Sequence, residues 1–207
     1  MKVTKFPQSC IIVEKSDGGR VLVDAGSVAM DAHAFDDFGP IDAAVYTHRH
    51  PDHFDERSLE VLLERDIPVY ANADVVSLIG GERATEVHDG ERCEVAGFDV
   101  LPRDLPHVPM VDGAQGPPNT GFVFDGTFFH PGDGIAIDGL RVDGLALPIA
   151  GPSVSFRDAY VLAEQLGARK LVPIHYDVFI ADPNLFADKA AALAEVVVLD
   201  PGESTDV

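Results

Sequence analysis

The sequence predicts an α/β protein, a four-layer αβ/βα sandwich with two central sheets and helices on their outer faces. Strand-like apolar segments alternate with segments of helical periodicity along the chain. These segments form two rough halves that divide near Gly97. No linker-like or low-complexity segment separates the halves, so we expect a single domain over residues 1–207.

Composition restricts the classes of protein to which the chain can belong. Its 207 residues, 46% hydrophobic and 24% charged, are typical of a globular protein with a substantial core. The formal net charge of −20 argues against nucleic acid or an anionic membrane as main partner, and a small-molecule substrate is expected instead. We expect no membrane span and a cytoplasmic location. Cys10 and Cys93 are expected to be buried thiols.

The first half of the chain predicts three strands before residue 48. Segments 10–14 and 20–26 are rich in β-branched residues, and the turn residues at 15–19 predict a hairpin between them. Segment 41–47 is the third strand. A helix over 55–66, a strand over 67–71 and a helix over 73–80 follow.

The second half predicts six further strands, over 85–89, 92–97, 98–103, 121–126, 127–130 and 145–149. A helix over 155–167 begins with Ser155 as N-cap and Asp158 three residues later. A strand over 170–177, a helix over 185–196 and a last strand over 196–199 complete the pattern. The tail, 200–207, is expected to fray.

Four potential metal ligands follow the third predicted strand, in the segment YTHRHPDHF. His48 and His50 lie two residues apart, so their side chains point the same way in an extended chain. Pro51 suits a first helical position, which would place Asp52 and His53 in the first turn of a helix. Imidazole and carboxylate groups suit zinc, iron or manganese, and four on one short segment can serve two ions. The alternative is a polar surface loop.

The segment HRHPDH, residues 48–53, matches the H-x-H-x-D-H signature of the metallo-β-lactamase superfamily. The resemblance extends in order and spacing over nearly the whole chain, through the segments RVLVDAG, VHDGERCEVAGFDV, TFFHPGDG and KLVPIHYD. It implies the four-layer fold that bears the superfamily's name. Within the superfamily, LALPIAGP and VPIHYD resemble the UlaG-like group of small metal-dependent hydrolases.

The resemblance implies a dinuclear site with seven ligands. His48, His50 and His107 would bind one metal ion, Asp52, His53 and His175 would bind the other, and Asp133 would bridge them. It implies two divalent ions, zinc before manganese or iron, and a hydroxide between them as nucleophile. Asp52 would also act in catalysis, by orienting that hydroxide or by passing a proton to the leaving group.

The implied activity is metal-dependent hydrolysis of a small ester, lactone or phosphodiester. The same ligands can hold two irons, so a di-iron oxidoreductase is an alternative, and a non-catalytic metal-binding module is another. A nuclease is a fourth hypothesis, which the net charge of −20 disfavours. Fold by itself does not decide among these chemistries.

Several other side chains have two interpretations each. His88 competes with His107 as a ligand, but it directly precedes a turn that the resemblance places away from the metals. His33 is expected to be a surface-loop residue. His130 is either a partner of a metal ligand or a plain strand-end histidine. Asp24 is either a buried acceptor near the ligand loop, which the resemblance favours, or a turn former before Gly26.

Substrate recognition is the least defined part of the predicted site. Tyr176 follows the last ligand and either contacts substrate or packs within the fold. Many relatives have Gly-His where this chain has FPQSC, and Gly-Asp-Thr where it has the sequence Gly-Asp-Gly at 132–134. We expect neither departure to touch a ligand. The loops 27–39 and 108–121 are the expected places for recognition.

Overall fold

A computed structural model describes residues 1–16 and 18–207 and contains two seven-stranded mixed sheets. The first sheet has the spatial order β14 (Ser204–Asp206), β1 (Lys2–Lys5), β2 (Ile11–Glu14), β3 (Arg20–Val23), β4 (Ala43–Tyr46), β5 (Val69–Ala71), β6 (Thr85–Glu86). The second has the order β13 (Glu195–Val196), β12 (Lys170–Ile174), β11 (Gly144–Pro148), β10 (Phe128–His130), β9 (Thr120–Phe124), β8 (Phe98–Asp104), β7 (Cys93–Val95). The predicted hairpin turn 15–19 includes Asp17, which lies outside the described residues.

Helices cover the outer face of each sheet. The first sheet carries α1 (Ser27–Ala32), α2 (Glu56–Glu64) and α3 (Ala73–Ile79), and the second carries α4 (Phe156–Leu166) and α5 (Pro183–Ala190). A 3-10 helix over Phe35–Phe38 also packs on the first sheet. This arrangement confirms the predicted αβ/βα sandwich.

Side-chain alternation explains why the sheets stack in this way. In β3, Val21 and Val23 point toward the second sheet, whereas Leu22 points toward the helices of the first. Phe122, Phe124 and further aromatic side chains of the second sheet fill the space between the sheets. The central strands therefore bury both faces, which gives two outer apolar layers and one inner layer.

The helix over 156–166 shows how local sequence sets an element. Ser155 accepts a hydrogen bond from the Asp158 backbone N–H, and the Asp158 carboxylate accepts from the Ser155 backbone N–H. Gly167 ends the helix in the left-handed conformation with φ 65°. The predicted capping box is thus confirmed.

The predicted helix over 55–66 is confirmed, but Pro51 does not begin it. It starts at Glu56, with the Asp55 carboxylate accepting from the Arg57 backbone N–H, so Asp52 and His53 precede the helix and do not form its first turn. The Ser27 N–H donates to the Pro51 carbonyl at 2.7 Å, and the His53 N–H donates to the His50 carbonyl at 2.9 Å. These bonds hold the segment as a tight turn.

The carboxyl-terminal tail also differs from its prediction. Residues Ser204–Asp206 do not fray but form β14, which pairs antiparallel with β1, a strand that the sequence pattern did not indicate. The Val207 N–H donates to the Met1 carbonyl at 2.8 Å. The predicted helix over 185–196 ends at Ala190, and the two halves divide between β6 and β7, ahead of Gly97.

Strand direction brings the predicted ligands to one edge of the molecule. Each sheet has three antiparallel strand pairs at one end and three parallel pairs at the other. The loops after β3, β4, β8, β10 and β12 leave their strands at the same edge, as is common for sites in α/β proteins. Within the described residues, no helix is long and apolar enough to cross a membrane.

Candidate metal centre

The first group of ligand atoms comes from the loops after β4, β8 and β10. His48 Nε2 and His107 Nε2 each lie 3.2 Å from His50 Nδ1. Asp133 Oδ2 lies 3.4 Å from His107 Nε2 and 3.9 Å from His48 Nε2. We call this group the first cluster. Its ligand atoms all lie within 4.8 Å of one another, close enough to hold one metal ion.

The second cluster consists of Asp52, His53 and His175, whose ligand atoms also lie within 4.8 Å of one another. Asp52 Oδ2 lies 3.3 Å from His175 Nε2 and 3.9 Å from His53 Nε2. His175 follows β12 directly and has φ 64°, a left-handed conformation that turns the chain sharply at this residue. The sharp turn places its ring beside Asp52.

Asp133 lies between the two clusters. Its Oδ2 faces the first cluster, while its Oδ1 lies 3.1 Å from His53 Nε2 and 3.2 Å from His175 Nε2. One carboxylate therefore presents one oxygen to each group of histidines. The geometry brings together all seven residues that the family resemblance implied as ligands.

The buried Asp24 carboxylate orients the His53 ring of the second cluster. This carboxylate accepts from the Thr47 backbone N–H at 2.8 Å and from the Thr47 hydroxyl at 2.7 Å, and its Oδ2 lies 2.7 Å from His53 Nδ1. Asp24 is fully buried, with φ 51°, a conformation that aspartate tolerates better than most residues. A proton on His53 Nδ1 leaves its Nε2 free to bind a metal.

Backbone carbonyls orient two further rings. His107 Nδ1 lies 2.6 Å from the Val108 carbonyl, and His175 Nδ1 lies 2.7 Å from the Ala150 carbonyl. Each contact requires the proton on Nδ1, so that Nε2 faces the cluster with a lone pair.

Burial and neighbouring charges set the protonation of the centre. Burial lowers the pKa of His48 well below its ordinary value, and the neighbouring imidazole of His53 adds to this. Burial would also lower the pKa of His53, but the carboxylates of Asp133 and Asp24 outweigh it and raise that pKa well above its usual range. In turn, the charges of His53 and His175 hold the pKa of Asp133 well below normal despite its burial.

The residues present fit a pair of divalent cations. Asp133 Oδ1 and His175 Nε2 are buried and have no hydrogen-bond partner in the described part of the chain. Unpartnered buried polar atoms destabilise a fold, and a bound cation would satisfy both. The mixed imidazole and carboxylate donors suit zinc, manganese or iron, and they do not single out one of these metals.

Gln8 is a contact residue that the sequence analysis did not identify. Its side-chain amide donates to Asp52 Oδ2 at 2.9 Å, and its backbone carbonyl accepts from the His175 N–H at 2.9 Å. The Gln8 backbone N–H donates to Asp177 Oδ2 at 2.6 Å. It is fully buried with φ 61°. Gln8 lies in the FPQSC segment, so that departure from the family pattern reaches a ligand after all.

We expect Gln8→Leu to weaken metal binding at the second cluster by roughly 10–100-fold, the range for partners of metal ligands. Leucine fills similar space but cannot donate to Asp52, so that carboxylate loses its orientation. Metal titration monitored by calorimetry would measure the change. Gln165→Leu, on the exposed face of α4, is the control and should bind metal as the parent does. Unchanged affinity in Gln8→Leu would contradict an orienting role.

Gly116 lies against the His107 ring from the outer side. A Cβ at this position would lie 2.3 Å from His107 Nδ1 and 2.5 Å from its Cγ. No real Cβ approaches so closely, so a larger residue must displace the ring. The loop 108–121 therefore supports a ligand in addition to bordering the site.

Gly116→Ala is accordingly expected to lower metal affinity at the first cluster by about tenfold or more. The second cluster, which has no contact with Gly116, should keep its affinity. Competition with a chromogenic chelator resolves the two steps. Gly81→Ala adds the same methyl group in open space and should change neither step. Equal weakening of both steps would show a general loss of structure instead.

Two other histidines, the competitor His88 and the expected surface-loop residue His33, lie outside the clusters. His88 is exposed after β6 and lies 3.5 Å from Glu86 Oε1. His33 follows α1, and its ring packs edge-on against Phe6 with centroids 5.3 Å apart. His33 is therefore partly buried in the apolar layer under α1.

His130 and Tyr176 have contacts that favour structural interpretations. His130 Nε2 donates to the Ser9 carbonyl at 2.9 Å. Its Nδ1 accepts at 3.2 Å from the N–H of Gly132, the residue that precedes Asp133. The Tyr176 hydroxyl donates to the Leu199 carbonyl at 3.5 Å. Its ring lies under Lys5 Nζ, 4.6 Å from the centroid. A role for Tyr176 in binding substrate stays a prediction.

Comparison with known proteins places this geometry in context. The family model described as "Beta-lactamase superfamily domain" matches residues 2–175. Protein Rv0786c of Mycobacterium tuberculosis is 29% identical over 196 residues, which cover 88% of this chain and 87% of that protein. A UPF0173 metal-dependent hydrolase of Rubrobacter xylanophilus is 30% identical over 191 residues, covering 80% of this chain and 78% of that protein.

Solved structures share the whole fold at lower identity. Igni18, a metallo hydrolase from Ignicoccus hospitalis, superposes with a TM-score of 0.80 at 23% identity, covering 99% of this chain and 97% of that chain. The metallo-beta-lactamase fold protein YhfI from Bacillus subtilis superposes with a TM-score of 0.73 at 17% identity, covering 99% and 98%. The two stacked sheets with outer helices are therefore the fold found in those proteins.

Proposed function

Since the chain belongs to the metallo-β-lactamase superfamily and to its UPF0173 family of metal-dependent hydrolases, we propose that it hydrolyses a small ester, lactone or phosphodiester. The observation that carries this proposal is the position of Asp133 between two clusters that could each hold a metal ion. Two divalent ions, zinc first, are the proposed cofactors. A small molecule is the proposed partner.

Seven side chains would hold the two ions, and two further side chains orient one of these ligands. His48, His50 and His107 would hold one ion, Asp52, His53 and His175 the other, with Asp133 shared. When bound, two such ions lower the pKa of water and polarise a carbonyl or phosphoryl oxygen. Asp24 and Thr47 fix the ring of His53 from the buried side.

Asp52 is the proposed proton carrier of the reaction. Its side chain is one-quarter exposed, whereas the side chains of His53 and His175 are almost fully buried. Gln8 and His175 both contact its Oδ2, which leaves Oδ1 as the atom able to take up a proton from water and deliver it to the leaving group.

An oxidoreductase with two irons is the second candidate, because imidazole and carboxylate ligands also suit iron. The resemblance of LALPIAGP and VPIHYD to UlaG-like hydrolases supports the hydrolytic alternative, and membership of that subgroup is part of the proposal. A non-catalytic metal-binding module is the third candidate. A cytoplasmic location stays a prediction.

Metal analysis followed by a substrate panel tests the proposal. Purified protein refolded with Zn²⁺ or Mn²⁺ should hold two ions and hydrolyse members of a panel of esters, lactones and bis(p-nitrophenyl) phosphate. His48→Ala and His175→Ala should each remove one ion. A wild type without stoichiometric metal would end the proposal. Full loading without turnover favours the binding module, and iron retained from iron-replete cells, with its colour, favours the oxidoreductase.

A further inference from the structure

Exposed apolar side chains are concentrated beside the second cluster. Six large apolar side chains are exposed in the described part of the chain, and four of them lie between residues 178 and 185. They are Val178 at 50%, Phe179 at 36%, Ile180 at 92% and Leu185 at 47% exposed. This segment begins three residues after His175. Single exposed apolar residues are ordinary, but a contiguous group next to a site indicates binding.

Phe179 joins this group to the metal centre. Its ring stacks on the ring of His175, with centroids 5.3 Å apart and planes 18° from parallel. The exposed side chains of Val178 and Ile180 flank it in sequence. We call residues 178–180 the apolar loop. An apolar group placed here would lie beside the bond presented to the second cluster.

The apolar loop is held in place by the residues that precede it. The Gln8 side-chain carbonyl accepts from the Val178 N–H at 3.4 Å, and Asp177 Oδ2 lies 3.4 Å from the buried Lys5 Nζ. Ile180 has φ 33°, a left-handed conformation that β-branched residues rarely adopt. Backbone strain of this kind is concentrated at binding sites, where surrounding structure maintains it.

Charge around the centre disfavours an anionic group. The segments 27–39, 106–121 and 176–185 contain no lysine or arginine. Arg49 lies between two ligands in sequence, but its guanidinium pairs with Asp74 at 2.5 and 2.6 Å. Lys5 is buried against Asp177. A phosphate group would therefore have no free cationic side chain to bind in these segments. An uncharged apolar group, in contrast, can pack on the exposed side chains of the apolar loop.

We propose that the apolar loop Val178–Phe179–Ile180 binds an apolar acyl or alkyl group of the substrate next to the hydrolysed bond. This inference rests on the proposed function and narrows it. The substrate is then an uncharged carboxylic ester or lactone with an apolar substituent, in preference to a phosphodiester.

Binding of two hydroxamates to zinc-loaded protein tests the inference without turnover. Both present the same metal-binding head, and octanohydroxamate adds an alkyl chain that acetohydroxamate lacks. By calorimetry, wild type should bind octanohydroxamate at least about tenfold more tightly, because the chain buries apolar surface. The double variant Val178→Ser/Ile180→Asn should reduce the preference below about threefold. Asparagine is chosen because it tolerates the left-handed conformation of Ile180.

Leu78→Asn is the matched control, since Leu78 is 50% exposed on α3 and far from the apolar loop in sequence. It should retain the wild-type preference. Zinc-loaded wild type that binds the two hydroxamates equally, or binds neither, overturns the inference and leaves the proposed function standing. A preference that survives the double variant also overturns it. So does a wild-type dimer that Ile180→Asn dissociates while the preference stays unchanged, because the surface would then join two copies. Failure to retain zinc removes both proposals.

Discussion

Replacing Asp133 with alanine is expected to abolish binding of both metal ions and to lower kcat/KM by at least about a thousandfold. Asp133 presents Oδ1 to His53 and His175, and Oδ2 to His107 and His48. Loss of this carboxylate removes one ligand from each cluster and the negative charge that offsets two cations. Asp133 is thus the carboxylate that presents one oxygen to each cluster.

Metal content after dialysis and steady-state hydrolysis measure the two effects of Asp133→Ala. Asp138→Ala, in the same loop but exposed and outside the clusters, is the control for loss of a carboxylate. It should hold two ions and keep the activity of the parent. If Asp133→Ala retained one ion at full affinity, the carboxylate would belong to one cluster only.

The second large effect is expected from Asp24→Asn, which we predict to weaken metal binding at the second cluster by about 10–100-fold while the fold persists. Asparagine tolerates the left-handed backbone at this position and can still accept from the Thr47 N–H. Its amide nitrogen, however, cannot accept a hydrogen bond from the His53 Nδ1–H group. The His53 ring then favours a proton on Nε2, the atom that must be free to bind metal.

The tautomer of His53 is directly measurable. In zinc-loaded protein, nitrogen chemical shifts of the imidazole should show the proton on Nδ1 in the parent, whereas Asp24→Asn should contain a fraction with the proton on Nε2 and no metal on that ring. Asp42→Asn, whose carboxylate caps the Arg20 N–H on the surface, serves as the control. An unchanged tautomer together with unchanged metal affinity would remove Asp24 from the set of residues that orient the site.

Elements with local determinants were predictable from the sequence. The capping box of α4 depends on Ser155 and Asp158 alone, and the β2–β3 hairpin depends on two β-rich segments joined by turn residues. The spacing of HRHPDH likewise places four ligands in one segment. His107, Asp133 and His175 needed the family resemblance, because nothing in their neighbourhoods distinguishes them from other loop residues.

Elements with distant determinants were missed. β14 is short and polar, and it exists because β1, at the other end of the chain, offers an open edge. Lys5 in β1 looks like a surface residue but is buried against Asp177, 172 residues away. Gln8 acquires its contacts with His175 and Asp177 only when the two halves come together. In each case the stabilising partner is absent from the local sequence.

Because the ligands come from both sheets, bound metal stabilises the packing of the two halves against each other. His48, His50, Asp52 and His53 follow strands of the first sheet, whereas His107, Asp133 and His175 follow strands of the second. Separation of the sheets would dissolve both clusters, so ions bind the native state in preference to any partly opened one. Saturation at a thousand times the dissociation constant adds about 4 kcal/mol to the free energy of unfolding per site. Chelation should therefore lower Tm and loosen the cooperativity with which the halves unfold.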